Sequence, residues 1–271
     1  MHAVRPSAVA GAFYPGQRKK LLDDVLAMLG AAKVTSDATL EVPKAVIVPH
    51  AGYIYSGSTA ALAYARLAAG RKLIRRVVLL GPVHRVAVRG VALPGATSFV
   101  TPLGEVALDL PAIATISHLP QVVVSPAAHA LEHSLEVQLP FLQAALDDFK
   151  LVPLAVGDAT AAEVAQVLET LWGGLETLLV ISSDLSHYLP YRAAQVVDQA
   201  SVRNILGMKG PILLEQACGA TPVNGLLLAA SKHHLQAQLL GLCNSGDTAG
   251  DKNRVVGYAS IAFIEEPHHV A

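Results

Sequence analysis

The chain has 271 residues, of which 52% are apolar and only 15% charged, and its formal net charge is -1. This balance fits a well-buried α/β core and excludes a disordered chain, while the lack of a basic field excludes nucleic acid and an anionic membrane surface as expected partners. Mean hydropathy is positive, yet no apolar run approaches the ~20 residues of a spanning helix. The opening "MHAVRPSAVAGAFYPGQRKK" has no continuous apolar core of the signal-peptide kind. Two cysteines, Cys218 and Cys243, make neither a disulfide framework nor a zinc knuckle. Nothing demands an oxidising compartment, so a soluble cytoplasmic protein is expected.

Strand and helix patterns alternate along the chain. "KAVIVPH" (44–50) reads as a buried strand ending in a loop, and "SGSTAALAYARLAA" (56–69) as a helix whose small residues permit close packing on a sheet. "RRVVLLGPVHR" (75–85) is a second strand and loop. Residues 88–109 carry short strand-like pieces broken by Gly and Pro, which predicts a hairpin. In "EHSLEVQLPF" (132–141), Ser134 reads as an N-cap, with Leu135, Val137, Leu139, Leu142 and Leu146 as the apolar residues of a helix. Pro140 kinks that helix or delays its start, and Glu136 and Gln138 satisfy backbone donors near its end. "KLVPLAVGD" (150–158) is a third strand. "TAAEVAQVLETLW" (160–172) is a helix with Thr160 as N-cap and Glu163 at the capping-box position. "ETLLVISSDLSHY" (176–188) is a fourth strand and loop, and the C-terminal third ends in two strands joined by a Gly/Asp-rich loop. Continuous apolar runs rather than alternating ones predict a mostly parallel sheet with helices on both faces. No internal repeat, long linker or composition shift divides the chain, so one α/β domain over 1–271 is expected.

The chemistry collects just past the strands. His50 follows the first, His84 the second, and Asp184 and His187 the fourth. In open α/β sheets the ligand site lies outside the carboxyl ends of the strands, so three loops present histidine toward one edge. Imidazole either binds a metal through a neutral nitrogen or moves protons near neutral pH. His2, His268 and His269 are expected at exposed termini, and His233 and His234 at a helix C-terminus. No serine-hydrolase elbow, phosphate loop or zinc-protease helix motif is present, and "AVAGAFYPG" is too loose for a dinucleotide fingerprint, so no nucleotide cofactor is expected.

"RPSAVAGAFYP", "VPHAGYIYSG", "LLGPVHR", "EHSLEVQLPF", "ISSDLSHY", "ACGATP" and "SGDTAGDKNRVVGYASIAF" occur in the order that marks the MEMO family, so the chain resembles that family from about residue 5 to residue 265. Its bacterial and archaeal members are called AmmeMemoRadiSam system protein B, which implies a radical SAM protein and an AMMECR1-type protein as partners. The resemblance further implies a fold like class III extradiol dioxygenases, which hold Fe(II) on two histidines and a carboxylate. By motif, His50 and His84 match the metal-binding histidines, His187 with Asp184 beside it matches the acid/base histidine, and His133 matches a pocket-lining histidine. Glu132 would then orient an imidazole.

For the third ligand the resemblance leaves two residues. In the animal relative a cysteine stands shortly before the last strand, and Cys243 is one equivalent. Ungapped alignment back from "VVGYASIAF" instead reaches Asp247 and Thr248, and Asp247 would restore the set suited to Fe(II). Two functions are compatible with this picture. One is an oxidoreductase dependent on non-haem iron, or on copper. The other is a binding module that uses the same histidine-lined pocket for a peptide or a small-molecule metabolite without turning it over.

Overall fold

The computed structural model describes residues 3–32 and 41–265, so His2, His268 and His269 lie outside the described residues. The large sheet runs, in spatial order, His187–Leu189, Val255–Glu265, Ala45–Val48, Thr177–Ser182, Arg76–Pro82, Lys150–Val156, Val91–Leu93 and Val122–Val124. Strand Leu235–Asn244 pairs along the C-terminal strand. The central strands from Ala45–Val48 to Lys150–Val156 are mutually parallel, and the pairings that flank them are antiparallel. The expected fold class is thus observed. Within residues 88–109, Ser98–Thr101 and Gly104–Ala107 form the expected hairpin, which pairs with Val4–Arg5 as a small second sheet. Val91–Leu93 instead joins the main sheet.

The pleat of each strand sorts its side chains onto two cores. Ile47, Val78, Leu80, Val152 and Leu154 face one side, against Val164 and Leu168 of helix Ala161–Thr170 and Val223 and Leu226 of helix Ala220–Lys232. Val46, Val48, Val77, Leu79 and Leu151 face the other, against Leu21 and Val25 of helix Arg18–Ala31 and Ala60, Ala61 and Tyr64 of helix Tyr53–Ala65. Strands covered on both faces need apolar residues at every position, which is why their runs do not alternate. The capping box of Thr160 and Glu163 forms as expected. Among the described residues no helix is long and apolar enough to cross a membrane.

The stretch 132–141 departs from the helix expected to follow Ser134. Ser134 caps nothing; its hydroxyl donates to the Pro82 carbonyl at 2.8 Å. A single 3-10 turn, Glu136–Gln138, precedes helix Leu139–Ala145, whose first turn holds Pro140. The proline therefore marks a delayed start, where its missing N–H costs nothing. Glu136 is buried and does satisfy backbone donors, but those of a remote segment. It accepts from Ala8 N at 2.7 Å, Val9 N at 3.0 Å, the Tyr14 hydroxyl at 2.5 Å and the Arg5 guanidinium.

Removing one partner of a buried ion pair leaves an uncompensated charge. Glu136→Gln is therefore expected to cost about 3–5 kcal/mol in urea unfolding. Thr160→Ala, at a helix cap, is expected to cost about 1 kcal/mol. Equal costs for the two variants would contradict this ranking.

Candidate functional site

Parallel neighbours in the sheet bring the strand-end loops together. His50 follows Ala45–Val48, Asp184 and His187 follow Thr177–Ser182, and His84 follows Arg76–Pro82. The turn that begins at His133 supplies a fourth imidazole. One nitrogen each from His50, His84 and His133 lies within 4.8 Å of the others. Their ring centroids are 5.2 Å apart for His50 and His84, 5.4 Å for His50 and His133, and 4.6 Å for His84 and His133. The cavity they face, of about 740 Å³, is also lined by Phe13, Asp184, His187 and Tyr188.

Hydrogen bonding assigns the tautomers. Glu132 Oε1 accepts from His84 Nδ1 at 2.9 Å, from His133 N and Ser134 N at 2.9 Å each, and lies 3.2 Å from His133 Nδ1. Its Oε2 accepts from His84 N at 2.6 Å. A carboxylate only accepts, so both rings carry their proton on Nδ1. His50 Nδ1 lies 2.9 Å from Ser182 Oγ, whose single proton goes to the Ser134 carbonyl at 2.6 Å. Ser182 must therefore accept from His50 Nδ1–H. His187 Nδ1 donates to the Leu185 carbonyl at 2.8 Å. With Nδ1 engaged in each ring, Nε2 is the nitrogen left to meet a metal or a proton, and on His50 it lies 3.2 Å from Cys218 Sγ.

Asp184 accepts from the His50 backbone amide at 2.7 Å and so holds that loop rather than the His187 ring. Asp247 is not brought to the trio. Its carboxylate accepts from Asn244 N at 2.9 Å and from the Tyr191 hydroxyl, closing a local turn. Cys243 Sγ lies 3.0 Å from Thr59 Oγ1. Asp247 and Cys243, the two expected third ligands, thus stand apart from His50 and His84, and His133 takes the place beside them. Sequence reasoning did not single out Cys218, whose Sγ lies 3.2 Å from His50 Nε2, or Ser182. Their only sequence signal was membership of "ACGATP" and "ISSDLSHY". His233, at its helix terminus as expected, stacks on Trp172 and bonds Glu169.

The Memo-like protein family matches residues 5–262 of the chain. A MEMO1 family protein of Archaeoglobus fulgidus is 36% identical over 277 residues, covering 96% of this chain and 99% of that protein. One from Aquifex aeolicus is 35% identical, covering 96% and 99%. One from Methanocaldococcus jannaschii is 35% identical, covering 98% and 100%. The solved structure of an uncharacterized Escherichia coli K12 protein aligns with a TM-score of 0.49 at 16% identity, over 80% of this chain and 98% of that one.

Burial, and then the neighbouring His133 and His84, hold the His50 imidazole well below its ordinary value. Burial likewise lowers His129 to about 4. Between an unfolded histidine's value of about 6.5 and these folded values, the unfolded state binds more protons, so stability rises with pH. Burial pushes Glu132 up, but hydrogen bonds from His133, His84 and the Ser134 amide outweigh it and hold the carboxyl well below the usual range. Its stabilisation is present above the unfolded carboxyl value and is lost as pH falls toward the folded one. Metal-free protein is therefore expected to lose melting temperature as pH falls below about 6.5. His50→Gln should flatten part of that slope, whereas Glu132→Gln should flatten only the limb below about pH 4.5. A melting profile unchanged by His50→Gln would contradict the assignment of a buried neutral imidazole.

Proposed function

The chain belongs to the Memo-like family, and from that premise we propose that His50, His84 and His133 hold one iron(II), with copper as the second candidate, in a metal-dependent oxidoreductase. The observation that carries this reading is the convergence of three imidazoles, each with Nδ1 engaged by the protein. Imidazole donors suit iron and copper. Such an ion would supply Lewis-acid and redox chemistry toward O₂. In this proposal His133 stands where a carboxylate ligand was expected, and Glu132 sets the orientation of two of the three rings. Both are buried or half-buried, so the donors are held in place before any ion arrives.

His187 lines the same cavity, and its free Nε2 takes a proton from a substrate hydroxyl and returns it. Asp184 keeps His50 in position through the backbone. The family resemblance adds a setting in which a radical SAM protein and an AMMECR1-type protein act with this chain, and co-purification tests that setting.

Anaerobic loading with Fe(II) is expected to give an equimolar protein-bound ion and a higher melting temperature. His50→Ala combined with His84→Ala should abolish both, and His133→Ala should weaken both, while Asp247→Asn keeps them. Retention in His133→Ala with loss in Asp247→Asn would reverse the ligand assignment. A melting temperature unmoved by Fe(II) would sink the site. Oxygen consumption with a catechol panel tests turnover; tight binding without it would make the cavity a binding module for a metabolite or peptide.

A further inference from the structure

The path of the main sheet ends in two strands of three residues each, His187–Leu189 and Val122–Val124. Short edges are one way in which a fold keeps other chains from pairing with it. Strand Leu235–Asn244 is different. It has ten residues, and among the described residues it pairs with Val255–Glu265 alone. On the inner strand Val255 and residues 257–263 are buried, whereas on this one only Leu235 and Asn244 are. Its two faces are nevertheless covered. Leu62 of helix Tyr53–Ala65 lies over Gly241, and Thr59 of the same helix meets Cys243. Ala237 and Leu242 pack on the opposite core, to which helix Tyr191–Leu206 contributes Val202 and Ile205. What remains open is the edge itself, with Leu239 at its middle 37% exposed. Of the usual protections the strand has one, a register shift between Leu239 and Gly241. "LQAQLLGLCN" holds no charged residue and no proline.

We propose that this strand pairs antiparallel with the same strand of a second copy of the chain, so that the sheet runs unbroken through a two-fold dimer. A closed two-fold contact uses one patch twice, and the patch must complement itself. An axis between Leu239 and Leu240 uses the whole strand and sets each register shift against its own copy. The strand carries no charge to repel its copy, and its two ends carry opposite charges. Exposed Lys232, which also bonds Glu169, lies just before it, and exposed Asp247 lies just after it. Antiparallel pairing brings the Lys232 end of each copy alongside the Asp247 end of the other. That match at both ends favours a second copy over an unrelated chain. The edge is about 34 Å long at about 3.4 Å per residue. With about 10 Å of width from the helix on each face it offers roughly 700 Å² per copy, near the ~800 Å² per partner of a stable interface.

The test is sedimentation equilibrium on the full chain, joined to amide hydrogen exchange. A dimer of the 28.3 kDa chain is expected at about 10 µM, since interfaces of this size hold at micromolar concentration or tighter. Amides of residues 237–243 should exchange more slowly in concentrated than in dilute samples. Leu239→Lys and Leu239→Glu each set like charges across the axis, and each should weaken the dimer at least about a hundredfold. Both should keep the parent's far-ultraviolet circular dichroism, because position 239 faces solvent in the monomer. An equimolar mixture of the two variants should recover the dimer, because the charges at the axis are then opposite. A parent chain that is monomeric at that concentration would overturn the proposal. So would a dimer that both variants retain, or a mixture that stays monomeric. The exchange pattern decides without any substitution: protection that falls elsewhere and leaves residues 237–243 open would place the interface on another surface.

Discussion

The Glu132 carboxylate is the contact on which the site depends. Its two oxygens receive the His84 amide and ring, the His133 amide and the Ser134 amide, with the His133 ring also alongside. A buried carboxylate must have such partners, and these come from two segments far apart in sequence. The loop after Arg76–Pro82 and the turn at His133 therefore form together or not at all. Gly81 permits the approach, since a Cβ there would stand 2.8 Å from Ser134 Oγ. One interaction thus aligns two rings, fixes their tautomers and closes the end of a core strand.

The same segment continues as a line of buried polar side chains at every second position: Glu132, Ser134, Glu136 and Gln138. Each serves a different part of the fold. Ser134 ties to Pro82, Glu136 to the segment from Arg5 to Tyr14, and Gln138 to the Pro49 carbonyl, Ser182 and Tyr64. Through Ser182, Gln138 also braces the His50 tautomer. The segment carries a polar frame through an apolar interior, and the imidazoles hang from it. Such a network rigidifies only when every member is satisfied, and Glu132, Ser134, Glu136 and Gln138 all are.

What was legible in the sequence follows from this arrangement. The strands could be read because double-sided burial leaves continuous apolar runs, and His50, His84 and His187 stood out because strand ends in parallel sheets converge. The start of helix Leu139–Ala145 could not be read. Leu135, Val137 and Leu139 are buried, but so are the polar residues between them, so periodicity no longer marks an exposed face. Asp247 looked like a ligand by position along the chain, yet its oxygens close a turn with Asn244 and Tyr191, a use that short Asx-rich loops favour and that no spacing distinguishes from metal binding. Cys218 had no legible partner because His50 lies 168 positions away. The bulge at Tyr188, held at φ 59° where His187–Leu189 slips register against Val255 and Val256, was equally hidden, since it depends on the partner strand.

The two buried carboxylates at the site are driven in opposite directions by what surrounds them. Glu132 collects three amides and two imidazole N–H groups and is held ionised. Asp184 is raised by burial, with the His50 amide pulling it back. Separation of this kind lets one carboxylate act as a fixed charge while its neighbour resists ionisation. The fixed charge lies behind His84 and His133, where it orients both rings without competing for a cation in front of them.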